Sequence, residues 1–534
     1  MANKPAQPRT AIVVGAGHNG LVAANLLTDA GWDVAVLETS DRAGGAVHSD
    51  ESLRAGFVTD WYSSFYPLAA ASPALQRLEL EKWGLTWRHA PSVLAHVFPD
   101  GRSAMLERDR AATAASLETF APGDGDAWLR IVDDFDRICE PFLRSALGPF
   151  PPVRAGARLA RRMGLADGLR FARFAMQSVR RFGEENFAGE GGPILFTGNA
   201  LHTDLAPEVA GSAIYGWLLC MLGQTVGFPV PEGGSGRLID ALLVRLQAGG
   251  GELRCGTAVS SVELDDAGVR GVRLVSGEVL HAGVVVADVS APSLYLDLVG
   301  AEHLPPRLVK DLHRFEWDGP TLKLNWALSG PIPWTNADVG RAGTVHLGAD
   351  LNGLTRYATD LTTHQLPAHP FSLLGQMTTA DPTRSPAGTE SAWAYTHLPK
   401  GLDVTDDDVE RQASRVEASI EAQAPGFGAL VLERSLQSPL DLQRADANLV
   451  GGAVGGGTAS IHQQLFFRPV PGLARAETPI DGLYLASASA HPGGGVHGTP
   501  GANAAAAVLR RHSPTGRAHR AVIDAAYGRI YRSH

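Results

Sequence analysis

The chain has 534 residues, 44% of them hydrophobic and 19% charged, and its formal net charge is −10 at pH 7. This length and apolar content allow two or three domains with large buried cores, and the negative charge disfavours a nucleic-acid partner. The cysteines Cys139, Cys220 and Cys255 show neither CxxC spacing nor histidine-rich surroundings. We therefore expect neither a metal site nor a redox disulfide.

The apolar runs of the chain are shorter than the roughly 18 to 20 residues that a transmembrane helix needs. The ten residues before Ala11 are polar and lack the apolar core of a signal peptide. On this basis we expect a cytoplasmic location.

The first predicted strand, residues 11–14, leads directly into the glycine-rich turn 15–20 (GAGHNG) and a helical stretch. A GxGxxG pattern alone is common, but here a second apolar run follows and ends on Glu38, 18 residues after Gly20. Gly15 and Gly17 would let the backbone approach a pyrophosphate at the helix N-terminus, where anions are favoured. Glu38 would accept hydrogen bonds from a ribose with a free 2′-OH, so the pattern predicts an adenine dinucleotide.

A glycine doublet, Gly44 and Gly45, follows the second strand. At this doublet the chain resembles the glycine-doublet FAD family, which includes phytoene desaturases, retinol saturase, amine oxidases and the Rab GDP-dissociation inhibitors. The resemblance implies that the doublet brings backbone amides to the pyrophosphate of FAD. Within that family the chain is most similar to the branch of phytoene desaturases and pyridine nucleotide-disulfide oxidoreductase domain-2 proteins.

Residues 105–222 are predicted to form a helical insert, in which residues 141–182 hold nine arginines and a single acid, Asp167. On a helical projection one face carries Leu165, Leu169, Ala172, Met176 and Val179, and beside it lie Arg170, Arg173 and Arg180. The segment could be a basic helical lid or a membrane-facing helix that contacts anionic lipid. It could equally be a core helix with a solvated arginine face or a protein contact.

The middle of the chain carries a third match to the family, in residues 231–238 (PEGGSGRL), 251–259 and 284–288 (VVVAD). The resemblance implies that this stretch returns to the FAD domain and that the backbone at Val259 meets the adenine. Residues 321–328 and 372–377 are predicted strands of a mixed sheet that covers the flavin. The glycine-rich residues 451–457 lack a surrounding βαβ unit, so we interpret them as a loop near the flavin.

Residues 482–505 (GLYLASASAHPGGGVHGTPGANAA) predict a buried strand, a glycine loop and an alanine-rich helix that begins near Pro500. Such a helix N-terminus can stabilise negative charge on a reduced flavin. The block resembles the C-terminal flavin segment of bacterial phytoene-desaturase-like proteins. It contains no cysteine, so we expect noncovalent FAD.

These matches predict an α/β fold with a Rossmann-type FAD-binding domain, of the glutathione reductase-2 or amine oxidase type, and a discontinuous α+β substrate domain. The FAD-binding domain is expected at residues 1–75, 225–300 and 475–515. The substrate domain is expected at 76–224 and 301–474, with 141–182 as its basic segment and 516–534 as a C-terminal tail.

The resemblance implies a defined set of residues around FAD. They are Gly15, Gly17, His18, Asn19, Gly20, Glu38, Thr39, Arg42, Gly44, Gly45, Ala46, Val259, Ala287, Gly495 and Val496.

Hydride transfer to a flavin requires little protein chemistry beyond positioning and one proton acceptor. The candidates near the flavin are Asp60, Tyr62, His491 and His497, and more remote candidates are His202 and Asp204. Asp60 matches the acid of the family's Gly-Phe-x-x-Asp segment. The alternatives are that Asp60 caps a turn and that the two histidines after residue 490 brace the glycine loop.

The chain is therefore interpreted as an FAD-dependent oxidoreductase that desaturates or dehydrogenates a lipophilic substrate, such as an isoprenoid or polyene, by hydride transfer to flavin N5. Because no second dinucleotide motif is evident, electrons should pass to O₂, a quinone or a protein. One alternative is a flavin amine oxidase, although Ala46 stands where those enzymes have arginine. Another is a flavin-free lipid-binding chaperone like the Rab GDP-dissociation inhibitors.

Overall fold

The computed structural model describes residues 9–531. Its strands are β1 (Thr10–Val14), β2 (Asp33–Leu37), β3 (Ser49–Arg54), β4 (Phe57–Asp60), β5 (Trp87–Arg88), β6 (Ser92–Val97), β7 (Ser103–Leu106), β8 (Val230–Pro231), β9 (Glu252–Arg254), β10 (Val259–Asp265), β11 (Gly268–Leu274), β12 (Val279–His281), β13 (Val285–Ala287), β14 (Thr321–Leu328), β15 (Ala342–Leu347), β16 (Ser372–Gln376), β17 (Glu390–His397), β18 (Val431–Gln437) and β19 (Leu483–Leu485).

The α-helices are α1 (His18–Asp29), α2 (Pro67–Ala71), α3 (Pro73–Gln76), α4 (Arg110–Glu118), α5 (Asp124–Ala146), α6 (Val153–Ala175), α7 (Val179–Asn186), α8 (Gly191–Ala200), α9 (Ser212–Thr225), α10 (Gly236–Ala248), α11 (Pro306–Leu312), α12 (Leu351–Thr362), α13 (Met377–Ala380), α14 (Asp406–Gln423), α15 (Phe427–Leu430), α16 (Pro439–Ala445), α17 (Thr499–Arg511) and α18 (Gly516–Ile530).

A parallel five-stranded sheet has the order β19-β13-β1-β2-β9. Its short strands are almost continuously apolar because both faces are covered. Val13 and Val36 pack with α1, α10 and α17 on one face, whereas Ile12 and Leu37 pack toward β10–β12 and α18 on the other. The sheet places the carboxyl ends of β1, β2 and β13 along one edge, where loops can form a ligand site.

A second, mixed sheet has the order β18-β14-β17-β16-β15-β6-β7, with only β6 and β15 parallel. Its strands come from two stretches of chain, residues 92–106 and 321–437. The predicted strands at 321–328 and 372–377 correspond to β14 and β16. Every residue of β14 is buried, because α14 and α15 pack against this sheet and the parallel sheet's domain lies beyond its other face.

Helices α4–α9 form the predicted helical insert, and they bury an aromatic core around Trp128, Phe196 and Trp217. The basic helix α6 lies at the surface, has no fully buried residue, and is interrupted at Gly164, where φ is +71°. Within residues 9–531, no helix combines the length and the apolar character needed to cross a bilayer.

The structure corrects three details of the basic segment and the tail. Val179 belongs to α7 and is fully buried, so it does not share the exposed apolar face of α6. Arg173 and Arg180 are engaged in ion pairs, with Glu185 at 2.6 Å and with Glu208 at 2.8 Å. The expected tail from residue 516 folds as α18 and packs Ile523, Tyr527 and Tyr531 into the core.

Candidate functional site

The turn between β1 and α1 leaves no room for side chains. Gly15 has a φ of +94°, and a Cβ placed on it would lie 2.7 Å from the carbonyl oxygen of Asp288. A Cβ on Gly17 would lie 2.7 Å from Oδ2 of the same aspartate. Because α1 begins directly after Gly17, the partial positive charge of its N-terminus lies at this turn.

Asp288 follows β13 and closes the other side of the turn. Its Oδ2 accepts a hydrogen bond from the Gly20 amide at 2.7 Å. Burial raises the pKa of this carboxyl to about 7, against the opposing effect of the Gly20 amide. The group is therefore partly uncharged near neutral pH, beside the expected pyrophosphate. The sequence analysis noted residues 284–288 but gave Asp288 no role, and an acid ending an apolar run was the available signal.

Glu38 ends β2 with its carboxylate held by two backbone amides. Oε2 accepts from the Ala16 amide at 2.8 Å and Oε1 from the Ser40 amide at 2.9 Å. A carboxylate oxygen can accept more than one hydrogen bond, so both oxygens keep acceptor capacity for a ribose diol. The two amides fix the orientation of the carboxylate before any ligand binds.

The glycine doublet is attached to the first turn. The Gly44 amide donates to the Ala16 carbonyl at 3.0 Å, and residues 17 and 44 form an isolated β-bridge. The φ values of Gly44 and Gly45 are +133° and +53°, in the region that favours glycine. A Cβ on Gly44 would lie 2.6 Å from the Val47 carbonyl oxygen. The doublet and the first turn thus form one continuous backbone surface.

The C-terminal block adds β19, a glycine loop and α17, in the predicted order. Residues 492–496 line the cavity, and Gly495 has a φ of +111°. Gly494 packs so closely on Gly455 that a Cβ would overlap its carbonyl oxygen. The predicted loop at 451–457 therefore lies against the C-terminal flavin block.

Arg468 holds this second loop in place. Its fully buried guanidinium donates to the carbonyl oxygens of Gly456 at 3.1 Å, Thr458 at 3.0 Å and Ala488 at 2.7 Å. Burial lowers the pKa of Arg468 to about 10, so the group stays charged at neutral pH. The carboxylate of Asp318 also holds the loop, because it accepts a hydrogen bond from the Gly457 amide at 3.0 Å. Neither residue was singled out from the sequence.

A single cavity of about 860 Å³ joins these pieces, and ligand sites commonly measure roughly 300–1,000 Å³. Twelve of the fifteen residues expected around FAD line it, namely Gly15, Gly17, His18, Asn19, Glu38, Thr39, Arg42, Gly45, Ala46, Val259, Gly495 and Val496. The glycine backbone, the helix N-terminus and the oriented carboxylate match the donors and acceptors that bind FAD. The residues present therefore fit this cofactor.

The remaining three residues lie behind the cavity wall. Gly20 packs against the Gly15 carbonyl, Gly44 donates to Ala16, and Ala287 is a fully buried end of β13. They shape the wall rather than line it. The lining contains none of Cys139, Cys220 and Cys255, and residues 9–531 contain no group of three or more side chains arranged to hold a metal.

Among the four catalytic candidates, only Tyr62 lines the cavity. Burial raises the pKa of the Tyr62 hydroxyl, and the neighbouring Asp446 adds to this shift. The phenol is therefore neutral at physiological pH and can donate a hydrogen bond but does not serve as a base.

Asp60 is not in the cavity lining, which contradicts its expected role as the proton acceptor. It is fully buried, lies 3.1 Å from the Arg384 guanidinium and accepts from the Ser235 amide at 2.9 Å. Its backbone carbonyl accepts a hydrogen bond from the ammonium of Lys323. A buried ion pair of this kind organises its surroundings, so Asp60 is a structural residue behind the wall.

His491 and His497 also lie outside the lining. His497 accepts from the Thr499 amide at 3.1 Å through Nδ1 and thereby braces the start of α17. Burial lowers the pKa of His497 to about 3 and that of His491 to about 4, so both rings are neutral. His491 packs edge-on against Phe150, with ring centroids 5.3 Å apart. The bracing alternative therefore describes His497, whereas both ring nitrogens of His491 are buried without a hydrogen-bond partner among the described residues.

Lys323 is a cavity residue that the sequence analysis missed. It is 3% exposed, and its Nζ lies 5.6 Å from the ring centroid of Trp393. Burial lowers its pKa to about 7, against the opposing effect of Asp60. A lysine between two leucines in the predicted strand 321–328 was a signal, because lysine is rarely fully buried unless it is paired.

Aromatic residues form the wall opposite the glycine loops. Trp393 and Tyr395 come from the same face of β17, with ring centroids 6.0 Å apart and an interplanar angle of 12°. Phe65, Tyr215 and Phe228 complete this part of the lining. Because residues i and i+2 of a strand stand side by side, Trp393 and Tyr395 form a wall rather than two facing sides of a cage.

The remote candidates His202 and Asp204 do line the cavity. Both lie in the turn after α8, where Asp204 has a φ of +61°. The Asp204 carboxylate approaches Nε2 of His397 at 2.7 Å. His397, at the end of β17, was not identified from the sequence.

Comparison with known proteins identifies the family. The model of the family described as flavin containing amine oxidoreductase matches residues 20–383. The pyridine nucleotide-disulfide oxidoreductase domain-containing protein 2 of Rattus norvegicus is 30% identical over 547 residues, covering 94% of this chain and 93% of that protein. The neurosporene-forming phytoene desaturase of Rhodobacter capsulatus is 25% identical over 514 residues, with 91% of each covered.

Among solved structures, an oxidoreductase from Methanosarcina mazei superposes with a TM-score of 0.62 at 16% identity, covering 94% of this chain and 100% of that one. This likeness concerns the fold, which is α/β with a Rossmann-type FAD-binding domain. The chain therefore belongs to the flavin containing amine oxidoreductase family and is an FAD-dependent oxidoreductase.

Proposed function

We propose that this enzyme dehydrogenates a lipophilic substrate, with isoprenoids and polyenes as the leading class. The observation that carries the proposal is the continuity of the cavity from the glycine turns to an apolar wall. That wall contains Phe65, Leu68, Tyr215, Leu219, Phe228, Trp393 and Tyr395. Burial of apolar surface contributes about 25 cal/mol per Å², so a long hydrocarbon gains affinity here. The relation to a phytoene desaturase supports the same class.

FAD, when bound, supplies a two-electron acceptor for the hydride. The chain's own residues position the substrate and accept a proton. Lys323 is suited to the second task because a pKa of about 7 leaves much of the amine neutral near pH 7. The ion pair of Asp60 with Arg384 fixes the carbonyl that holds this amine.

We propose that the substrate enters from an anionic membrane surface through α6 and the loop 459–467. Leu165 and Leu169 of α6 and Met176 directly after it are 83%, 65% and 68% exposed. Three exposed arginines of the same helix make no ion pair or hydrogen bond with the described residues 9–531. They are Arg154, Arg158 and Arg161. The arginines lie before the interruption at Gly164 and the apolar side chains after it, so the two halves of α6 together present the basic and apolar surface that is typical of an interfacial segment.

The loop 459–467 links this surface to the cavity. Leu465, Phe466 and Phe467 are exposed, whereas Ala459 and Gln464 line the cavity. The ring of Phe466 packs edge-on against Phe150, just before α6, with centroids 4.7 Å apart. One short segment thus presents apolar side chains outward and forms a cavity wall inward, which supports membrane entry.

A flotation assay with anionic vesicles at low salt tests this entry route. Each basic residue near such a surface contributes about 1 kcal/mol, so Arg154→Gln/Arg158→Gln/Arg161→Gln should weaken vesicle binding more than tenfold. Arg254→Gln/Arg270→Gln/Arg273→Gln is the control, because it removes equal charge from a different surface whose arginines are ion-paired. Wild-type protein that does not float would contradict the membrane proposal.

The amine oxidase alternative is supported by the family match and by the acidic residues Asp204 and Asp318 in the lining. Against it, Trp393 and Tyr395 stand side by side and do not enclose a cation. The flavin-free chaperone alternative is wrong, because the chain is an FAD enzyme.

Anaerobic mixing separates the two substrate classes. The purified enzyme should lose its flavin absorbance near 450 nm with a polyprenyl or polyene substrate and keep it with primary and polyamine substrates. Bleaching by amines alone would overturn the proposal. If reduced enzyme instead saturates an added polyene, the direction of the reaction is reversed while the substrate class stands.

For reoxidation we propose O₂, a quinone or another protein as the partner. Within residues 9–531 only one parallel sheet carries a dinucleotide turn. Neither NADH nor NADPH should therefore reduce the flavin at catalytic rates. Rapid reduction by either in a stopped-flow experiment would contradict this.

A further inference from the structure

The cavity has a polar end formed by His202, Asp204 and His397. Oδ2 of Asp204 accepts from the Gly319 amide at 2.6 Å, and Oδ1 faces Nε2 of His397 at 2.7 Å. These contacts fix the carboxylate on a backbone with positive φ, which a non-glycine residue adopts at a cost. A polar group held this firmly beside the aromatic wall of the cavity suggests a ligand contact.

His202 is bound from behind by a second histidine. Nε2 of His202 and Nε2 of His346 are 2.9 Å apart, so one of the two donates the hydrogen. Burial lowers the pKa of His202 to about 3 and lowers that of His346 well below its ordinary value, and nearby histidines add to both shifts. Both rings are therefore neutral and each carries one proton.

The packing of His346 determines which ring donates. Its Nδ1 is buried without a hydrogen-bond partner and packs on the backbone of Gly198, where a Cβ would overlap it. Nε2 of the nearby His96 donates to the Ala349 carbonyl oxygen at 3.0 Å, since a carbonyl only accepts, and His96 therefore carries its proton on Nε2. An orphaned buried N–H costs more than an orphaned lone pair and is rarer. His346 therefore carries its proton on Nε2 and donates to His202.

This assignment fixes the tautomer of His202. Since its Nε2 accepts, the proton of the neutral ring is on Nδ1. Nδ1 is not among the fully buried unpartnered atoms of the described residues, and His202 lines the cavity, so this N–H is available to a ligand. The polar end thus combines an N–H donor at His202 with a carboxylate acceptor at Asp204.

The charges around this end select the ligand. Asp204 and Asp318 disfavour an anion, and for Asp318 burial together with Asp204 raises the pKa. Burial lowers the pKa of His397, but Asp204 and Asp318 outweigh burial and raise it. A raised pKa favours the charged form of this ring, which disfavours a cation. A hydroxyl is neutral, accepts from an N–H and donates to a carboxylate.

We propose that the His202–Asp204 end of the cavity binds the hydroxyl group of a lipophilic alcohol, positioned by the hydrogen bond from His346. The inference rests on the proposed function, since it assigns the polar end of that same lipophilic substrate. It makes His202 and Asp204 specificity residues and His346 a positioning residue.

Four probes with one carbon skeleton test the proposal: farnesol, its hydrocarbon analogue 2,6,10-trimethyldodeca-2,6,10-triene, farnesoic acid and farnesylamine. Binding to the FAD-loaded enzyme is read from the perturbation of the flavin spectrum. Farnesol should bind about tenfold tighter than the hydrocarbon, as two net hydrogen bonds allow, and tighter than the acid or the amine. Equal affinity for farnesol and the hydrocarbon, or tightest binding of a charged probe, overturns the inference but leaves a lipophilic substrate in place. If none of the four probes binds, both the hydroxyl inference and the proposed function are wrong.

Variants of His202 and His346 test whether these residues recognise the hydroxyl group. His202→Phe should remove the preference for farnesol and leave the affinity for the hydrocarbon unchanged. His346→Phe should have the same effect, whereas His346→Gln, which retains an N–H donor, should restore part of the preference. His281→Phe, at an exposed position of β12, is the control. A preference for farnesol that survives both His→Phe variants overturns the assignment.

Discussion

The two halves of the cavity are built from different parts of the polypeptide. The dinucleotide half is backbone: residues 15–17, 44–45 and 493–495 approach the ligand site as glycine turns with positive φ at several positions. The substrate half consists of side chains from β14, β17, α9 and the turn after α8. The dinucleotide half binds its ligand through a backbone conformation that few residues adopt. The substrate half binds its ligand through side chains, which other residues could replace.

This difference indicates which cavity residues tolerate substitution and which do not. In the backbone half, a Cβ added to Gly15, Gly17 or Gly44 would lie within 2.7 Å of another atom. In the side-chain half, Lys323, Trp393 and His397 contribute side chains from regular strands to the lining. We therefore expect substitutions in the first half to weaken cofactor binding and those in the second half to change turnover or specificity.

The largest effect is expected for Gly15→Ala, because the new Cβ would lie 2.7 Å from the Asp288 carbonyl. FAD affinity, measured by calorimetry on apoprotein, should fall by at least about 100-fold, since a displaced turn loses several backbone hydrogen bonds. Gly31→Ala is the matched control. Its φ of +76° is also positive, but nothing lies within 4 Å, so stability should fall by about 1 kcal/mol with FAD retained. An equal loss of FAD affinity in both variants would mean that the positive φ, and not the contact with Asp288, causes the loss.

In the side-chain half, Lys323→Met should keep the flavin spectrum and slow flavin reduction by about 100-fold, the scale of a lost general base. The wild-type reduction rate should rise with pH through about 7, because burial lowers the lysine pKa to that value and the neutral amine accepts the proton. The variant should lack this rise. Lys310→Met, on the surface helix α11, is the control. A pH profile unchanged in Lys323→Met would remove this residue from the chemistry.

The same lysine affects folding stability. The unfolded chain keeps the proton up to about 10.5, whereas the folded protein releases it at about 7. The unfolded state therefore binds more protons between these values, and stability should rise with pH across this window. Chemical denaturation of wild type and Lys323→Met measures how the free energy of unfolding changes between pH 7 and pH 9. The part of this change that Lys323 contributes should be absent from the variant.

Glu38→Ala should weaken FAD binding by about 10- to 150-fold, because charge-assisted hydrogen bonds contribute about 1.5 to 3 kcal/mol. The loss should be smaller for FMN, which has no adenosine ribose. Asp33→Ala, at the exposed start of β2, serves as the control. Unchanged FAD affinity would exclude Glu38 from the ribose site.

The smallest effect concerns Asp288. Burial raises its pKa to about 7, so the carboxyl becomes ionised beside the pyrophosphate as pH rises through 7. FAD affinity should fall several-fold between pH 6 and pH 8, and Asp288→Asn should flatten this dependence. A wild-type affinity that increases over the same range would contradict the assignment.

The sequence predicted the backbone half well because its information is local. Strand, glycine turn, helix and Glu38 lie within 30 residues, and the structure places them as expected around one cavity. The side-chain half was predicted poorly, since Lys323, Trp393 and His397 meet there only through sheet pairing between β14 and β17. Asp60 was misjudged for a related reason. Its partner Arg384 lies more than 300 residues away, and no local pattern reveals such an ion pair.

The attachment of the loop by Arg468 has a consequence for engineering. This guanidinium binds only main-chain oxygens of residues 455–458 and 488, so it fixes the path of the loop without recognising the side chains that follow. The outward positions Ile461, Leu465, Phe466 and Phe467 can therefore be exchanged as a set while the loop keeps its course. Libraries confined to these four positions offer a way to change what the enzyme admits without rebuilding the site that reacts.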